Sequence, residues 1–180
     1  MNGMYRSACD QLYCLEEFNC CSMKPAEKPS GEVKESKASW WSSFDHKGWS
    51  KCTAGEYITG LYRSANRNPD AIYRLEMARC ESAPLKWDPS GEQYCYKLNL
   101  WNSFDKKGWG KCKAGYYMQS IYRTREDDRF NDIQLFSCCK PKTKHIVQVN
   151  CQRHSVLQSF DKEGWSECPK GKCILVSDCH

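Results

Sequence analysis

Hydrophobic and polar positions alternate over short stretches of this chain, and turn residues separate those stretches. The segment EYITGLYR at 56–63 is rich in β-branched and aromatic residues, and apolar and polar residues alternate from 72 to 80. Both patterns are typical of β-strands. A short helix within DAIYRLEMARC at 70–80 is the alternative interpretation, because the apolar residues there fit neither a two-residue nor a helical period cleanly.

A polar turn is predicted upstream of the first of these strands. Asp45-His46-Lys47-Gly48 places Asp at the first position and Gly at the last, as in a type I turn closed by a residue with positive φ. We therefore expect 40–44 and 49–52 to form a hairpin around this turn. Ala54-Gly55 then turns the chain into the strand at 56–63.

The sequence around this turn occurs three times, as SFDHKGWSKC at 43–52, SFDKKGWGKC at 103–112 and SFDKEGWSEC at 159–168. Two complete units, 40–84 and 95–141, share this start. Each continues through a strand ending in Tyr-Arg-Ser/Thr, a variable loop, an Asp, and an alternating stretch that ends in Cys. Such internal repeats indicate one structural unit for each copy.

The two ends of the chain supply the two halves of a third unit. The N-terminal segment matches the second half of a unit, with Gly3 aligned to Gly60, and the segment near the C-terminus matches the first half. We expect 1–25 and 151–180 to fold together as one split unit. A fragment cut from a longer array of repeats would also begin and end within a unit.

Four short strands in each of three units predict about twelve strands in a single domain. The expected fold is all-β and disulfide-rich, with a closed, pseudo-threefold arrangement of the repeats over residues 1–180. A β-trefoil and a three-sheet β-prism both fit this arithmetic, and both close by pairing the terminal strands. The pattern does not separate these two architectures.

The chain has fourteen cysteines among 180 residues, an even and unusually high number. Zinc proteins of the reduced cytosol typically show paired C-x2-C motifs, which are absent from this sequence. The composition therefore predicts an oxidised, secreted, extracellular protein with no metal and no cofactor. No apolar run approaches twenty residues, so no membrane-spanning segment is predicted.

Comparison of the units predicts which cysteines pair. Where a unit ends in a Cys doublet, an extra Cys precedes the unit, and where it ends in a single Cys this extra residue is absent. Cys52 should therefore pair with Cys80. The remaining expected pairings join Cys95 and Cys112 to Cys138 and Cys139, join Cys151 and Cys168 to Cys20 and Cys21, and leave Cys9, Cys14, Cys173 and Cys179 to pair among themselves.

Candidate catalytic chemistry is absent from the sequence. No G-x-S-x-G, H-E-x-x-H or P-loop motif occurs, so the protein is not expected to be an enzyme. The repeated acids of the turn are interpreted as turn caps: Asp45, Asp105 and Asp161. The tryptophans after the turn glycine are expected to pack in the core, with stacking on a sugar as the alternative: Trp49, Trp109 and Trp165.

The repeated Tyr-Arg step carries the first candidate ligand site. Adjacent strand residues point to opposite faces, so a buried Tyr would leave its Arg exposed. Three exposed arginines would form a multivalent surface, namely Arg6, Arg63 and Arg123. The alternative is an ion pair with the acid of the same unit, namely Asp10, Asp70 and Asp128.

A second candidate site is basic. The formal net charge is +5, which suits acidic polysaccharides or lipid headgroups. Lys106, Lys107, Lys111 and Lys113 surround one predicted hairpin, and a second group occupies a linker: Lys140, Lys142, Lys144 and His145. A lysine-rich linker is usually just solvated, but two basic clusters in one half of the chain suit a sulfated glycan.

The frame W-x-x-F-D-x-x-G-W-x-x-C-x-x-G, followed by a strand, Asp-Arg and a Cys-Cys doublet, resembles the dermatopontin family of extracellular matrix proteins. The residues that carry the resemblance are Trp101, Gly108, Cys112, Gly115, Asp128, Arg129, Cys138, Cys139 and the upstream Cys95. The family's Asp-Arg-x-Trp is kept in part at Asp128-Arg129-Phe130-Asn131. The resemblance implies binding to proteoglycans and cells, with agglutinins among related invertebrate proteins and related repeats in secreted pore-forming proteins.

These observations predict a secreted, multivalent, lectin-like module that binds cell-surface or matrix glycans, glycosaminoglycans or proteoglycans. Nucleic acid is not an expected partner. Two alternatives remain: a membrane-associating accessory module of a pore-forming or toxin-like protein, and a structural or adhesive matrix protein.

Overall fold

The computed structural model describes residues 1–25, 32–65, 69–124 and 128–170. The described part is all-β, as predicted, and contains twelve strands. In chain order they are β1 (Gly3–Arg6), β2 (Leu15–Pro25), β3 (Glu35–Ser39), β4 (Gly48–Lys51), β5 (Glu56–Arg63), β6 (Leu75–Ser82), β7 (Gln93–Asn99), β8 (Gly108–Lys111), β9 (Tyr117–Arg123), β10 (Ile133–Pro141), β11 (Ile146–Ser155) and β12 (Gly164–Glu167).

Short helical turns precede the last strand of each unit. They are 3-10 helices at Leu12–Cys14, Ile72–Arg74 and Phe130–Asp132, and one short α-helix, α1, spans Leu157–Phe160. The segment at 70–80 therefore combines both interpretations, because a 3-10 turn at Ile72–Arg74 leads directly into β6.

The strands form three separate four-stranded antiparallel sheets, none of which closes on itself. Sheet 1 has the order β12-β5-β6-β3, sheet 2 the order β4-β9-β10-β7, and sheet 3 the order β11-β2-β1-β8. Each sheet contains three strands of one unit and one short strand of another. β4 of the first unit lies in sheet 2, β8 of the second in sheet 3, and β12 of the split unit in sheet 1. The units therefore exchange strands in a cycle.

This exchange shows that the predicted hairpin of 40–44 with 49–52 is wrong. Residues 41–44 form a turn closed by the Phe44 N–H, which donates to the Trp40 carbonyl at 2.9 Å. Trp40 and Phe44 are both buried, and their rings stack in the core. The extended strand after the turn finds its partner in β9 of the next unit. Gly48 has φ +144, so the turn glycine has the positive φ that the turn pattern predicts.

The split unit is assembled from both ends of the chain. β2 pairs with β11 from Ile146 opposite Pro25 to Ser155 opposite Glu17. The terminal strands β1 and β12 do not pair with each other, because β1 lies between β2 and β8 and β12 lies beside β5. The ends are therefore joined through β2 and β11.

Six disulfides connect the described residues: Cys9–Cys14, Cys20–Cys168, Cys21–Cys151, Cys52–Cys80, Cys95–Cys139 and Cys112–Cys138. All six agree with the pairings that the comparison of units predicts. Two of them tie the N-terminal half of the split unit to its C-terminal half. Cys173 and Cys179 lie outside the described residues.

The main core is built from inward-facing residues of all three sheets and from the phenylalanine of each SFD turn: Phe44, Phe104 and Phe160. The exchanged strands approach their neighbours closely. A Cβ atom on Gly3 would lie 2.5 Å from the Gly110 carbonyl oxygen, and one on Gly60 would lie 2.7 Å from Glu167 Cγ. Glycine at these two positions therefore allows the exchanged strand to pack at this distance.

Candidate ligand-binding faces of the three sheets

The three repeated arginines are buried, so the expectation that they are exposed is wrong. Arg6, Arg63 and Arg123 lie on the core side of β1, β5 and β9, with at most 2% of each residue exposed. The tyrosines before them lie on the outer face and are only partly buried. The Tyr and the Arg do point to opposite faces of the strand, as predicted, but the Arg is the buried residue and the Tyr lies on the outer face.

Each arginine forms the ion pair of the alternative interpretation. Arg6 Nη2 lies 3.0 Å from Asp10 Oδ1, and Arg123 Nη2 lies 2.9 Å from Asp128 Oδ1. Arg63 is bidentate on Asp70, with Nη1 to Oδ2 at 3.1 Å and a second bond from Nη2 to Oδ1. The Asp70 side chain is only 5% exposed, whereas that of Asp10 is 47% exposed.

The same arginines also connect neighbouring units. Their Nη1 groups donate to the carbonyl oxygen of the SFD phenylalanine of another unit, where the acceptor distances are 3.2, 3.0 and 2.6 Å. The pairs are Arg6 with Phe104, Arg63 with Phe160, and Arg123 with Phe44. These arginines therefore hold the turns that precede the exchanged strands and do not face solvent.

The outer surface of each sheet carries a cross-strand Tyr–Trp pair. Trp49 on β4 contacts Tyr122 on β9, Trp109 on β8 contacts Tyr5 on β1, and Trp165 on β12 contacts Tyr62 on β5. The ring centroids are 5.1 to 5.5 Å apart. All three tryptophans are only partly buried and lie outside the core cluster, so the expectation that they pack in the core is wrong.

A cation from the far edge strand lies over each of these tryptophans. Lys97 Nζ is 5.8 Å from the Trp49 ring centroid, Arg153 Cζ is 5.3 Å from that of Trp109, and Lys37 Nζ is 5.6 Å from that of Trp165. These distances fall within the range of cation–π attraction. We call the Trp, the Tyr and the edge-strand cation of one sheet its outer aromatic face.

The face of sheet 2 is the most basic of the three. Lys51 and Lys97 lie in one cross-strand row with Ser120 and Ser137 between them, and the row of Trp49 and Tyr122 continues to Leu135 and Asn99. Neither of these two rows contains an acid. One row of this face therefore places two exposed lysines next to the row that holds the aromatic pair.

Acids reduce the positive charge of the other two faces. In sheet 3, Lys111 and Arg153 occupy the positions of the two lysines, but Glu17 lies opposite Tyr5. In sheet 1, Glu167 replaces the lysine of the exchanged strand and pairs with Arg79 at 3.1 Å.

The sheet 1 face contains a second polar contact. The Tyr62 hydroxyl donates to Glu163 Oε1 at 2.9 Å. This hydrogen bond raises the pKa of Tyr62, because ionisation of the phenol would remove the donor.

The four lysines of the predicted basic hairpin are distributed over different parts of the surface. Lys111 lies on the exchanged strand of sheet 3, Lys106 and Lys107 are exposed in the turn, and Lys113 Nζ lies 5.1 Å from the ring centroid of Tyr96. The acids of the turns are exposed, as a turn cap would be: Asp45, Asp105 and Asp161.

The second basic group does not lie wholly on a linker, because Lys140 belongs to β10. Two of its lysines lie near aromatic rings. Lys140 lies 5.1 Å from the Tyr116 centroid, and Lys142 lies 5.3 Å from that of Tyr94 and 3.1 Å from a Glu92 carboxylate oxygen. The His145 ring lies 5.4 Å from Trp87. Lys144 is exposed.

The described residues contain no group of His, Cys, Asp and Glu side chains that could hold a metal ion. Among the same residues, no helix is both long enough and apolar enough to cross a bilayer. Comparison with protein-family models, with curated proteins and with solved structures gives no match for this chain.

The outer aromatic faces are not evident from the sequence, in which Trp49, Trp109 and Trp165 occur as single repeated residues. The partner of each tryptophan belongs to another unit, and the cation comes from a third strand. One signal was available in the sequence. A Trp recurs at a fixed position before the disulfide-bonded Cys of the frame, and a Tyr recurs near the end of the strand that follows this Cys.

Proposed function

We propose that the protein is a secreted, multivalent glycan-binding module whose ligand sites are the three outer aromatic faces. The observation that carries this proposal is the threefold recurrence of one constellation: a tryptophan, a tyrosine and a cation on the solvent side of a sheet. The apolar C–H face of a sugar ring can pack on the partly exposed aromatic rings. The cations can pair with its acidic substituents.

Three further observations support a secreted binding module. Six disulfides indicate an oxidising environment of the extracellular type. The resemblance to the dermatopontin family supports cell-surface or matrix proteoglycans as the class of partner. The cyclic strand exchange supports a closed, pseudo-threefold arrangement of the units, and three separate sheets favour the β-prism-like form over the β-trefoil-like form.

Multivalency compensates for the low affinity expected of each shallow face. A single partly exposed Tyr–Trp pair offers a small contact area, so each site is expected to be weak. Three sites on one rigid domain can raise the avidity for a repeating ligand by about 10² to 10⁴-fold when the geometry allows simultaneous contact. A polymer or a densely glycosylated surface is therefore favoured over a free monosaccharide.

The face of sheet 2 supports acidic glycans as the preferred ligands. Lys51 and Lys97 lie in the cross-strand row next to that of Trp49 and Tyr122, and no acid occupies either row. A sulfate or carboxylate on a sugar packed against the rings would meet two cations. The faces of sheets 3 and 1 contain the carboxylates of Glu17 and Glu167, so we expect weaker binding of acidic groups there.

Replacing Lys51 and Lys97 together by alanine should lower the salt concentration needed to elute the protein from immobilised heparin. The contacts of an acidic chain with exposed lysines are electrostatic, and 0.1 M salt screens such contacts beyond about 10 Å. The matched control is Lys106→Ala with Lys107→Ala, which removes the same charge from a turn outside the sheet 2 face.

The control should elute close to the wild-type position. The sequence-based hypothesis of a basic hairpin at 106–113 makes the opposite prediction. Equal loss in the two variants would instead indicate attraction by net charge alone. Unchanged elution of the Lys51/Lys97 variant would exclude the sheet 2 face as the acidic site.

A further inference from the structure

Three large apolar side chains are exposed at equivalent positions of the three SFD turns. Trp41 is 54% exposed, Trp101 is 52% exposed and Leu157 is 44% exposed. Each follows a buried core residue, namely Trp40, Leu100 and Val156. Single exposed apolar residues are common, but here a large apolar side chain is exposed at the same position of all three units.

The turns that carry these side chains are rigid. In each turn the phenylalanine N–H donates to the carbonyl of the buried residue, at 2.9, 2.8 and 2.6 Å. The same phenylalanine is in the core, and its carbonyl accepts from the buried arginine of another unit. The exposed apolar residue is therefore held between fixed points and cannot readily fold back onto the protein.

Hydrogen bonds between units bring these turns to one end of the molecule. Each turn is bound to the arginine of an Arg–Asp pair, and the aspartates of two of these pairs accept hydrogen bonds from the 3-10 turns of other units. Leu12 N–H donates to the Asp70 carbonyl at 2.8 Å, Tyr13 N–H to Asp70 Oδ2 at 2.9 Å, and Ile72 N–H to the Asp128 carbonyl at 3.2 Å. Tyr13 is itself 44% exposed and lies beside α1, which carries Leu157. We call this end, with its four exposed side chains Trp41, Trp101, Leu157 and Tyr13, the apolar ring.

We propose that the apolar ring docks on the interface of a phospholipid bilayer, independently of glycan binding at the sheet faces. Tryptophan and tyrosine favour the headgroup region, where the ring lies among acyl chains and its polar atom meets water. Leucine adds an apolar anchor. The proposal requires shallow insertion only, and no element crosses the membrane.

A second protein molecule suits this surface less well than a bilayer does. The exposed side chains belong to three different turns and to one 3-10 turn, and the polar residues of the turns separate them. A stable protein interface buries about 1,200 to 2,000 Å² with a contiguous apolar centre. A bilayer is planar and deformable, so separate anchors can enter it one by one.

The charges of the turns favour a neutral headgroup. The nine positions between the phenylalanine and the glycine of the three turns hold four lysines and four acids: Lys47, Lys106, Lys107 and Lys162, against Asp45, Asp105, Asp161 and Glu163. With His46 neutral, these turn positions carry no formal net charge. Zwitterionic phosphatidylcholine therefore meets no repulsion, and docking should depend little on salt.

Cosedimentation with phosphatidylcholine vesicles tests this proposal. The wild-type protein is expected to bind, with similar partitioning in 0.1 M and 1 M NaCl. Replacing Trp41, Trp101 and Leu157 by serine should reduce the partition coefficient by at least about tenfold, since each buried large side chain contributes strongly. The matched control is Tyr94→Ser, which removes a side chain that is also 54% exposed but lies on β7.

A second measurement uses the unaltered protein, so that misfolding of the triple variant cannot mimic the result. Vesicles of brominated phosphatidylcholine should quench part of the wild-type tryptophan fluorescence. Absence of vesicle binding by the wild type, or equal loss in the triple variant and the Tyr94 control, would overturn the proposal. A wild-type oligomer that dissociates in the triple variant would also overturn it, because the apolar ring would then be covered by a second copy.

Discussion

Replacing Arg63 by alanine is expected to lower the free energy of unfolding by about 3 to 5 kcal/mol, because it leaves a carboxylate buried without its partner. Arg63 is fully buried, and its partner Asp70 is only 5% exposed. The substitution also removes the donor to the Phe160 carbonyl, which connects the first unit to the split unit. Urea unfolding followed by far-ultraviolet circular dichroism would measure the change.

Arg6→Ala provides the matched control for this prediction. Arg6 is also buried and also donates to a phenylalanine carbonyl, that of Phe104. Its partner Asp10 has a side chain that is 47% exposed, so water can solvate the carboxylate once the arginine is absent. The loss should be clearly smaller than for Arg63. Equal losses would contradict the assignment of the larger cost to the buried Asp70 carboxylate.

Removing both disulfides that join the ends of the chain should destabilise the protein by about 5 kcal/mol in the chain-entropy description. Cys20–Cys168 and Cys21–Cys151 span 148 and 130 residues. Once both are replaced by alanine pairs, none of the disulfides among the described residues closes the long loop in the unfolded chain. Thermal unfolding of the quadruple variant would measure the effect.

The variant Cys21→Ala/Cys151→Ala is the nested control. Cys20–Cys168 still closes the long loop in this variant, so the entropy of the unfolded chain rises by much less than in the quadruple variant. We therefore expect a distinctly smaller loss of stability. A double variant as unstable as the quadruple variant would show that the Cys21–Cys151 bond acts through local packing between β2 and β11.

Proteolysis provides a separate test of how the ends are joined. After cleavage between 84 and 91, the two pieces should remain covalently attached until a reductant is added, because the two terminal disulfides cross this point. Separation of the pieces without reductant would contradict the described pairing.

The repeats, the split unit and the disulfide pairings could be predicted because all three can be read by aligning the units of the sequence with one another. The extra Cys95 occurs where the doublet Cys138-Cys139 occurs, and the halves of the third unit align with intact units. The alignment of the units does not show with which unit the exchanged strand pairs. The residues 49–51 pair equally well with any extended neighbour in isolation, and only packing of the whole chain selects β9.

The candidate site was only partly predictable for a related reason. Alternation shows that Tyr62 and Arg63 point to opposite faces, but it does not show which face is buried. Arginine is usually exposed in proteins, so the sequence favours an exposed Arg63. The acceptors that allow Arg63 to be buried are Asp70 and the Phe160 carbonyl of a distant turn. Likewise, Trp165 became part of a candidate ligand face only because β12 joins another unit.

The most direct test of the proposed function is a heparin-oligosaccharide titration followed through the indole N–H signals of the seven tryptophans in a ¹⁵N-labelled sample. We expect Trp49 to shift most, because Lys97 lies over its ring and Lys51 lies in the neighbouring row, with smaller shifts for Trp109 and Trp165. The buried Trp40 and the turn residues Trp41 and Trp101 should shift least. Shifts confined to Trp41 and Trp101, or no shift at Trp49 when the ligand saturates, would contradict the assignment of glycan binding to the outer aromatic faces.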